Sequence, residues 1–198
     1  MDRDYGERLH EQGYANMGYK KFVYHSYAFI QNNQIVKHDL KKGKATLIFS
    51  SVLDKTVIDF VKGISRCSNI QLFGYSFNIL NIKYIPDPQL GASDCFRILS
   101  PICGLGAGYV WLDEKATEQK VADNLIEKYY ALHSQLPANV DIRVKLLNSK
   151  SEYIQYKKIK YKGYTGIAII EGDKDIVKLA YQAGLGPKCG IGMGLLGK

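Results

Sequence analysis

Between Val140 and Leu146 every second residue is apolar: Val140, Ile142, Val144 and Leu146 fall on one side, Asp141, Arg143 and Lys145 on the other. A period of two marks a half-buried strand. Upstream, over residues 117–132, the period becomes helical. Val121, Leu125, Tyr129 and Leu132 share a face there, with Thr117 placed to cap the helix and Glu118 behind it. Residues 95–101, "CFRILSP", form an apolar run stopped by Pro101, and residues around 165–170 form another. Between 173 and 184 lies a short helix with acids at its start and Gly184 at its stop. The tail "IGMGLL" supplies a last strand. The second half thus reads β-α-β-β-α-β, the order of a ferredoxin-like unit, which RNA-recognition modules also use.

The first half looks like a second copy with a piece absent. "DRDYGERLHEQ" has helical composition, and residues 22–30 and 45–50 are strands divided by a polar turn and a basic loop. Residues 51–64 carry Val57, Phe60, Val61 and Ile64 on one helical face, opened by Ser51-x-x-Asp54 in the pattern of a capping box. A long strand or hairpin runs through "NIQLFGYSFNILNIKYI", and "PDPQLGAS" (86–93) reads as a linker. The expected fold is α+β: two tandem ferredoxin-like (RNA-recognition-motif-like) domains over 1–88 and 89–198. The first of them lacks its usual first strand.

Composition narrows the partners. The 198 residues carry a net charge of +8, which favours an anionic partner, nucleic acid being the commonest. The stretch 150–162, "KSEYIQYKKIKYK", holds five lysines against one glutamate with tyrosines between them. Lysines neutralise phosphates while aromatic faces stack on unpaired bases. The same pattern also suits a solvated hairpin whose lysines guard its edges. The four cysteines (Cys67, Cys95, Cys103 and Cys189) show no zinc spacing. They read as reduced thiols, so neither metal nor cofactor is expected. With no apolar run of about 18 residues and no signal-peptide pattern at the start, the expectation is a cytoplasmic chain without membrane contact.

The end of the chain, "AGLGPKCGIGMGLLGK", packs six glycines into its last fifteen positions. Neither a P-loop nor a dinucleotide fingerprint fits, because both must open a helix and only Lys198 remains after Gly197. Glycines here let backbone approach a polyanion closely, with Lys188 adding charge, or else turn the chain into its final strand.

Three stretches in order resemble the CRISPR-associated repeat-processing endoribonucleases. "RLHEQGY...YKKFVYHS" is similar to that family's L-H-E helix end followed by a lysine and an aromatic strand. "FRILSPI" resembles the segment opening its second domain, and "AGLGPKCGIGMG" its C-terminal G-x-G-x-K-x-x-x-G-x-G loop. The resemblance implies tandem ferredoxin-like domains and binding of CRISPR repeat RNA, with a CRISPR effector complex as a further partner. It also implies metal-independent cleavage by the 2′-hydroxyl, leaving a 2′,3′-cyclic phosphate and a 5′-hydroxyl. The alternative is a catalytically impaired repeat-RNA binder of the same fold. Matched residue by residue, His10 becomes the catalytic histidine and Lys20 the charge stabiliser, with Lys21 an equal choice by register. Gly184, Gly186, Lys188, Gly192 and Gly194 match the RNA-binding loop, and Gly190 is an extra glycine within it. Lys157, Lys158 and Lys160 extend that surface.

His25 is the rival catalytic candidate, facing either cleft or core. His38 sits in a basic loop, facing phosphate or solvent, and His133 caps a helix. The family places a strand and a tyrosine-bearing helix ahead of L-H-E, whereas this chain starts nine residues before His10. Exposed strand edges and a homodimer covering them are expected from that difference.

Overall fold

The computed structural model describes residues 15–17, 20–32, 34–36, 40–72, 74–106, 110–156 and 158–198. In its second half β8 (Ser93–Ile98), α2 (Glu114–His133), β10 (Arg143–Tyr156), β11 (Ile159–Glu171), α3 (Lys174–Ala183) and β12 (Leu196–Gly197) follow in the expected order. The sheet runs β10-β11-β8-β12 with antiparallel neighbours, and the short β9 (Ile102–Cys103) pairs with β11. Numbered within the unit, that is 2-3-1-4, the ferredoxin-like arrangement.

Alternation explains the core. Val144 and Leu146 of β10, Phe96 and Ile98 of β8, and Ala168 and Ile170 of β11 are buried together. They pack with Val121, Leu125 and Tyr129 of α2 and Ile176, Val177 and Leu179 of α3. Each fully buried aliphatic side chain contributes about 1.5–3 kcal/mol.

The ends of elements depart from expectation where hydrogen bonds decide them. Helix α2 starts at Glu114, and its N-cap is Asp113, whose carboxylate accepts from the Ala116 amide at 2.8 Å. Thr117 lies inside the first turn, its hydroxyl donating to the Asp113 carbonyl at 2.6 Å. Strand β10 begins after Val140, which is 54% exposed. The final strand shrinks to two residues, because the left-handed Gly192 and Gly194 interrupt the extended run.

The first half holds a hairpin, β1 (Ala15–Met17) with β2 (Lys20–Phe22), then β3 (His25–Gln31), β4 (Gln34–Ile35) and β5 (Ala45–Ser51). Helix α1 (Asp54–Ser65) and the hairpin of β6 (Asn69–Leu72) and β7 (Tyr75–Asn78) follow. Its described sheet is β4-β3-β5. Phe60 of α1 stacks on Phe49 of β5, ring centres 4.2 Å apart, while Val61 stays exposed.

Ser51 is not a helix cap. It ends β5, donates to the Tyr24 carbonyl and accepts from the Leu53 amide, and α1 begins without a side-chain cap. Residues 79–91 form neither helix nor strand. Among the described residues no helix is long and apolar enough to cross a membrane.

The two halves meet on α2, α3 and the loop after α3. Ser50 of β5 donates to the Gln182 carbonyl at 2.9 Å. Tyr24, 1% exposed, donates to the Lys128 carbonyl at 3.0 Å. Burial pushes the Tyr24 phenol up to about 12, so it remains a donor.

Candidate nucleic-acid interface

The glycine-rich loop leaves α3 at Gly184 and folds into a single 3-10 turn at Cys189–Ile191 before β12. Two glycines are dictated by the geometry. Gly184 has φ +83, and a β-carbon there would meet Ser26 at 2.8 Å and the Cys189 sulfur at 2.9 Å. Gly194 has φ +76, and its β-carbon would be driven into the Leu185 carbonyl. A bond from the Leu185 amide to the Gly194 carbonyl (2.8 Å) closes the loop on itself, and one from the Gly194 amide to the Pro101 carbonyl (3.0 Å) ties it to the segment between β8 and β9.

Gly184, Gly186 and Gly194 are therefore buried and serve the loop's path. Lys188, Gly190 and Gly192 are half-buried. Gly190 packs against Val23, which leads into β3, and Gly192 against Tyr27 of β3.

Lys188 adopts a left-handed conformation, φ +66, and carries its ammonium 5.6 Å from the centre of the Tyr161 ring. Trp111 stands edge-on to the same ring, centres 6.1 Å apart and planes at 81°. Cation and rings together form a cation–π cluster with Trp111 37% exposed at its rim. Tyr161 belongs to β11, which with β10 extends as a hairpin to the pair Tyr156–Ile159. Lys158, Lys160, Tyr153 and Tyr156 are exposed along it. Lys162 instead turns back, donating to the Leu112 carbonyl at 3.2 Å, where the Tyr164 hydroxyl also donates. Burial, and the nearby Tyr156 second, raise the Tyr27 phenol's pKa.

Among the sequence candidates, the structure gathers Lys188, Gly190 and Gly192 with the hairpin that bears Lys158 and Lys160. His10, His38 and Lys157 lie outside the described residues. Lys20 and Lys21 are in β2, where their backbone pairs with Met17 and Asn16. His25 is half-buried with its ring 5.6 Å from Phe49, on the side where Phe49 meets α1. Burial first, and the charge of Lys128 second, lower its pKa, so its imidazole is neutral around pH 7. His133 ends α2 beside Tyr129, while Ser134, in a left-handed conformation, makes the cap itself.

The four cysteines are free thiols, Cys67 and Cys95 exposed, Cys103 and Cys189 buried. Burial pushes Cys103 up to about 12, away from thiolate chemistry. Among the described residues no three His, Cys, Asp or Glu side chains gather as metal ligands.

Sequence reasoning missed Trp111 and Lys128. Trp111 sits in a loop without periodicity, so nothing in the pattern marked it. Lys128 carried a signal: it falls seven residues after Val121 and three after Leu125, on the stripe that α2 buries.

The ferredoxin-like second half, the glycine-rich loop and the cation–aromatic hairpin define an α+β protein of the tandem ferredoxin-like class. A family model described as CRISPR associated protein Cas6, C-terminal, matches residues 85–197, more than half of the chain. The chain belongs to the Cas6 family. The CRISPR-associated endoribonuclease Cas6 1 of Methanocaldococcus jannaschii is 22% identical over 209 aligned positions, spanning 97% of this chain and 77% of that relative. A solved Cas6-related protein from Pyrococcus furiosus superposes with a TM-score of 0.77 at 17% identity, over 98% of this chain and 83% of its own. A solved RAMP protein that binds different RNA substrates superposes with a TM-score of 0.71 at 18% identity, over 86% and 78%. At these identities the structural likeness establishes the fold.

Proposed function

We propose that this chain binds the repeat RNA of CRISPR transcripts across the glycine-rich loop and the basic hairpin, and cleaves it to release guide RNAs. The observation that carries this reading is the exposed end of the β10–β11 hairpin, with Tyr153, Tyr156, Lys158 and Lys160, rooted at Tyr161, over whose ring the glycine-rich loop holds Lys188. Aromatic faces accept unpaired bases while the ammonium groups meet the phosphates between them. Family membership and the name of the archaeal relative as an endoribonuclease support cleavage as the outcome of binding.

The reaction needs a base to take the 2′-hydroxyl proton and an acid to protonate the leaving 5′-oxygen. It also needs positive charge near the phosphate as it gains a fifth oxygen. On this reading His10 handles a proton and Lys20 stabilises the charge. The 2′-oxygen bonds to phosphorus as the bond to the 5′-oxygen breaks, leaving a 2′,3′-cyclic phosphate and a 5′-hydroxyl.

Two experiments separate binding from cutting. Incubating the chain with end-labelled repeat RNA in excess chelator should give one discrete product ending in a cyclic phosphate. Stable binding without product would instead identify an RNA binder that does not cut. Replacing Lys158, Lys160 and Lys188 together by Gln should reduce the slope of log affinity against log salt by about 2, at about 0.7 per lost phosphate contact on single strands. An unchanged slope would place the RNA elsewhere.

A further inference from the structure

Lys128 is 3% exposed, and its charge is paired with no carboxylate among the described residues. An ammonium is costly to bury unless its donors are filled, and here they are filled by the glycine-rich loop. Its Nζ donates to the Gly184 carbonyl at 2.9 Å, to the Gly186 carbonyl at 3.0 Å and to the Cys189 sulfur at 3.5 Å. The Cys189 thiol in turn donates to the Gly186 carbonyl at 3.1 Å. On the other side, the backbone carbonyl of Lys128 accepts the Tyr24 hydroxyl from the first half of the chain. One residue therefore joins helix α2, the loop and the strand region against which the loop packs.

The direction of these bonds matters for an anion. A carbonyl oxygen repels phosphate, whereas an amide N–H attracts it. The Gly184 and Gly186 carbonyls are held inward by Lys128. Those of Lys188, Cys189 and Gly194 are held by the amides of Ile191, Gly192 and Leu185. Five carbonyls of the loop are thus turned to donors within the protein. Of the two next to α3, the Gly184 carbonyl is held by the Lys128 ammonium, and the Gly186 carbonyl is shared between that ammonium and the Cys189 thiol.

We infer that Lys128 is the positioning residue of the RNA-contacting loop: its ammonium turns the Gly184 and Gly186 carbonyls inward, so that Lys188 and the backbone around it face a phosphodiester. The inference rests on the proposed RNA-binding role of the loop. Lys128 itself touches no RNA. Its loss should therefore weaken binding without removing a phosphate contact, and that separates it from Lys188.

The test measures affinity for labelled repeat RNA across a salt series. Wild type, Lys128→Met, Lys128→Arg and Lys188→Ala are compared, with thermal unfolding of each recorded in parallel. Lys128→Met is expected to lose about ten- to a hundredfold in affinity, the scale of hydrogen bonds to a charged group, with the salt slope of wild type. Lys188→Ala is expected to lower the slope, and Lys128→Arg, which keeps charged donors, to recover part of the affinity. If Lys128→Met shows no cooperative unfolding, Lys128→Gln takes its place. Its amide can hold one carbonyl at most, and an intermediate loss at unchanged slope is expected.

A folded Lys128→Met or Lys128→Gln protein with wild-type affinity would overturn the inference. So would a slope reduced as far as in Lys188→Ala. Should wild type itself fail to bind, or Lys188→Ala bind like wild type, the RNA-binding reading of the loop fails first.

Discussion

Gly194→Ala should be among the most destabilising single substitutions in this chain, lowering stability by roughly 3 kcal/mol or more. The residue has φ +76, a conformation that a side chain disfavours, and the added carbon would be driven into the backbone carbonyl of Leu185. Backbone cannot rotate away as a side chain can. Nor can Gly194 shift, since its amide is held by the Pro101 carbonyl and its carbonyl by the Leu185 amide. Leu185 is itself fully buried, so the strain passes straight into the core. For a domain of this size the melting temperature should fall by about 6–12 °C.

Gly190→Ala is the matched control. Gly190 is outside the left-handed region, and the nearest neighbour of its added carbon would be the Val23 side chain, at 3.2 Å. A change within about 1 kcal/mol is expected there. Thermal and urea unfolding of the pair checks both values. Equal stabilities would mean that the loop is not held as described.

His10→Ala should leave repeat-RNA affinity at the wild-type level and slow cleavage by about 10²- to 10⁴-fold, the range of a lost general acid or base. Single-turnover kinetics with saturating protein reads the chemical step directly, and a mobility-shift titration reads binding. The comparison with other histidines sharpens the assignment. His133 ends α2 against Tyr129, and His133→Ala should cut at the wild-type rate. His25 is half-buried with its ring stacked on Phe49, and His25→Ala is the further comparison. Loss of cleavage in His133→Ala, or its retention in His10→Ala, would remove His10 from the mechanism.

The sequence showed the second half clearly because its elements bury one face each. The alternation of Ile142, Val144 and Leu146, and the stripe of Val121, Leu125 and Tyr129, follow directly from strand and helix periods. Ends of elements were less legible, since a cap is decided by geometry that several residues can satisfy. Asp113 and Thr117 both suit a helix start, and only the bond from the Ala116 amide separates them. Ser51 has the right spacing to Asp54 yet is held by the Tyr24 carbonyl, a partner 27 residues away. The short β12 shows the same limit: apolar residues predict a strand, and left-handed glycines override it.

The site divides along similar lines. Lys188 and its glycines were visible as a local pattern. Their neighbours were not, because Trp111 and Tyr161 come together only when β11 and the loop before α2 are folded. Lys128 lay on a buried stripe where a lysine ordinarily would not belong. What makes it tolerable is a set of carbonyls more than fifty residues further along the chain.

Trp111 is the chain's single tryptophan, so its fluorescence reports on this site alone. Titrating the wild-type protein with repeat RNA at several salt concentrations tests the central claim most directly, namely that RNA lies across the glycine-rich loop and the hairpin. Saturable quenching is expected, with a midpoint that matches a mobility-shift titration and rises steeply with salt. RNA that shifts the protein in a gel while leaving Trp111 unchanged would contradict the proposed interface, and RNA that does neither would contradict the function.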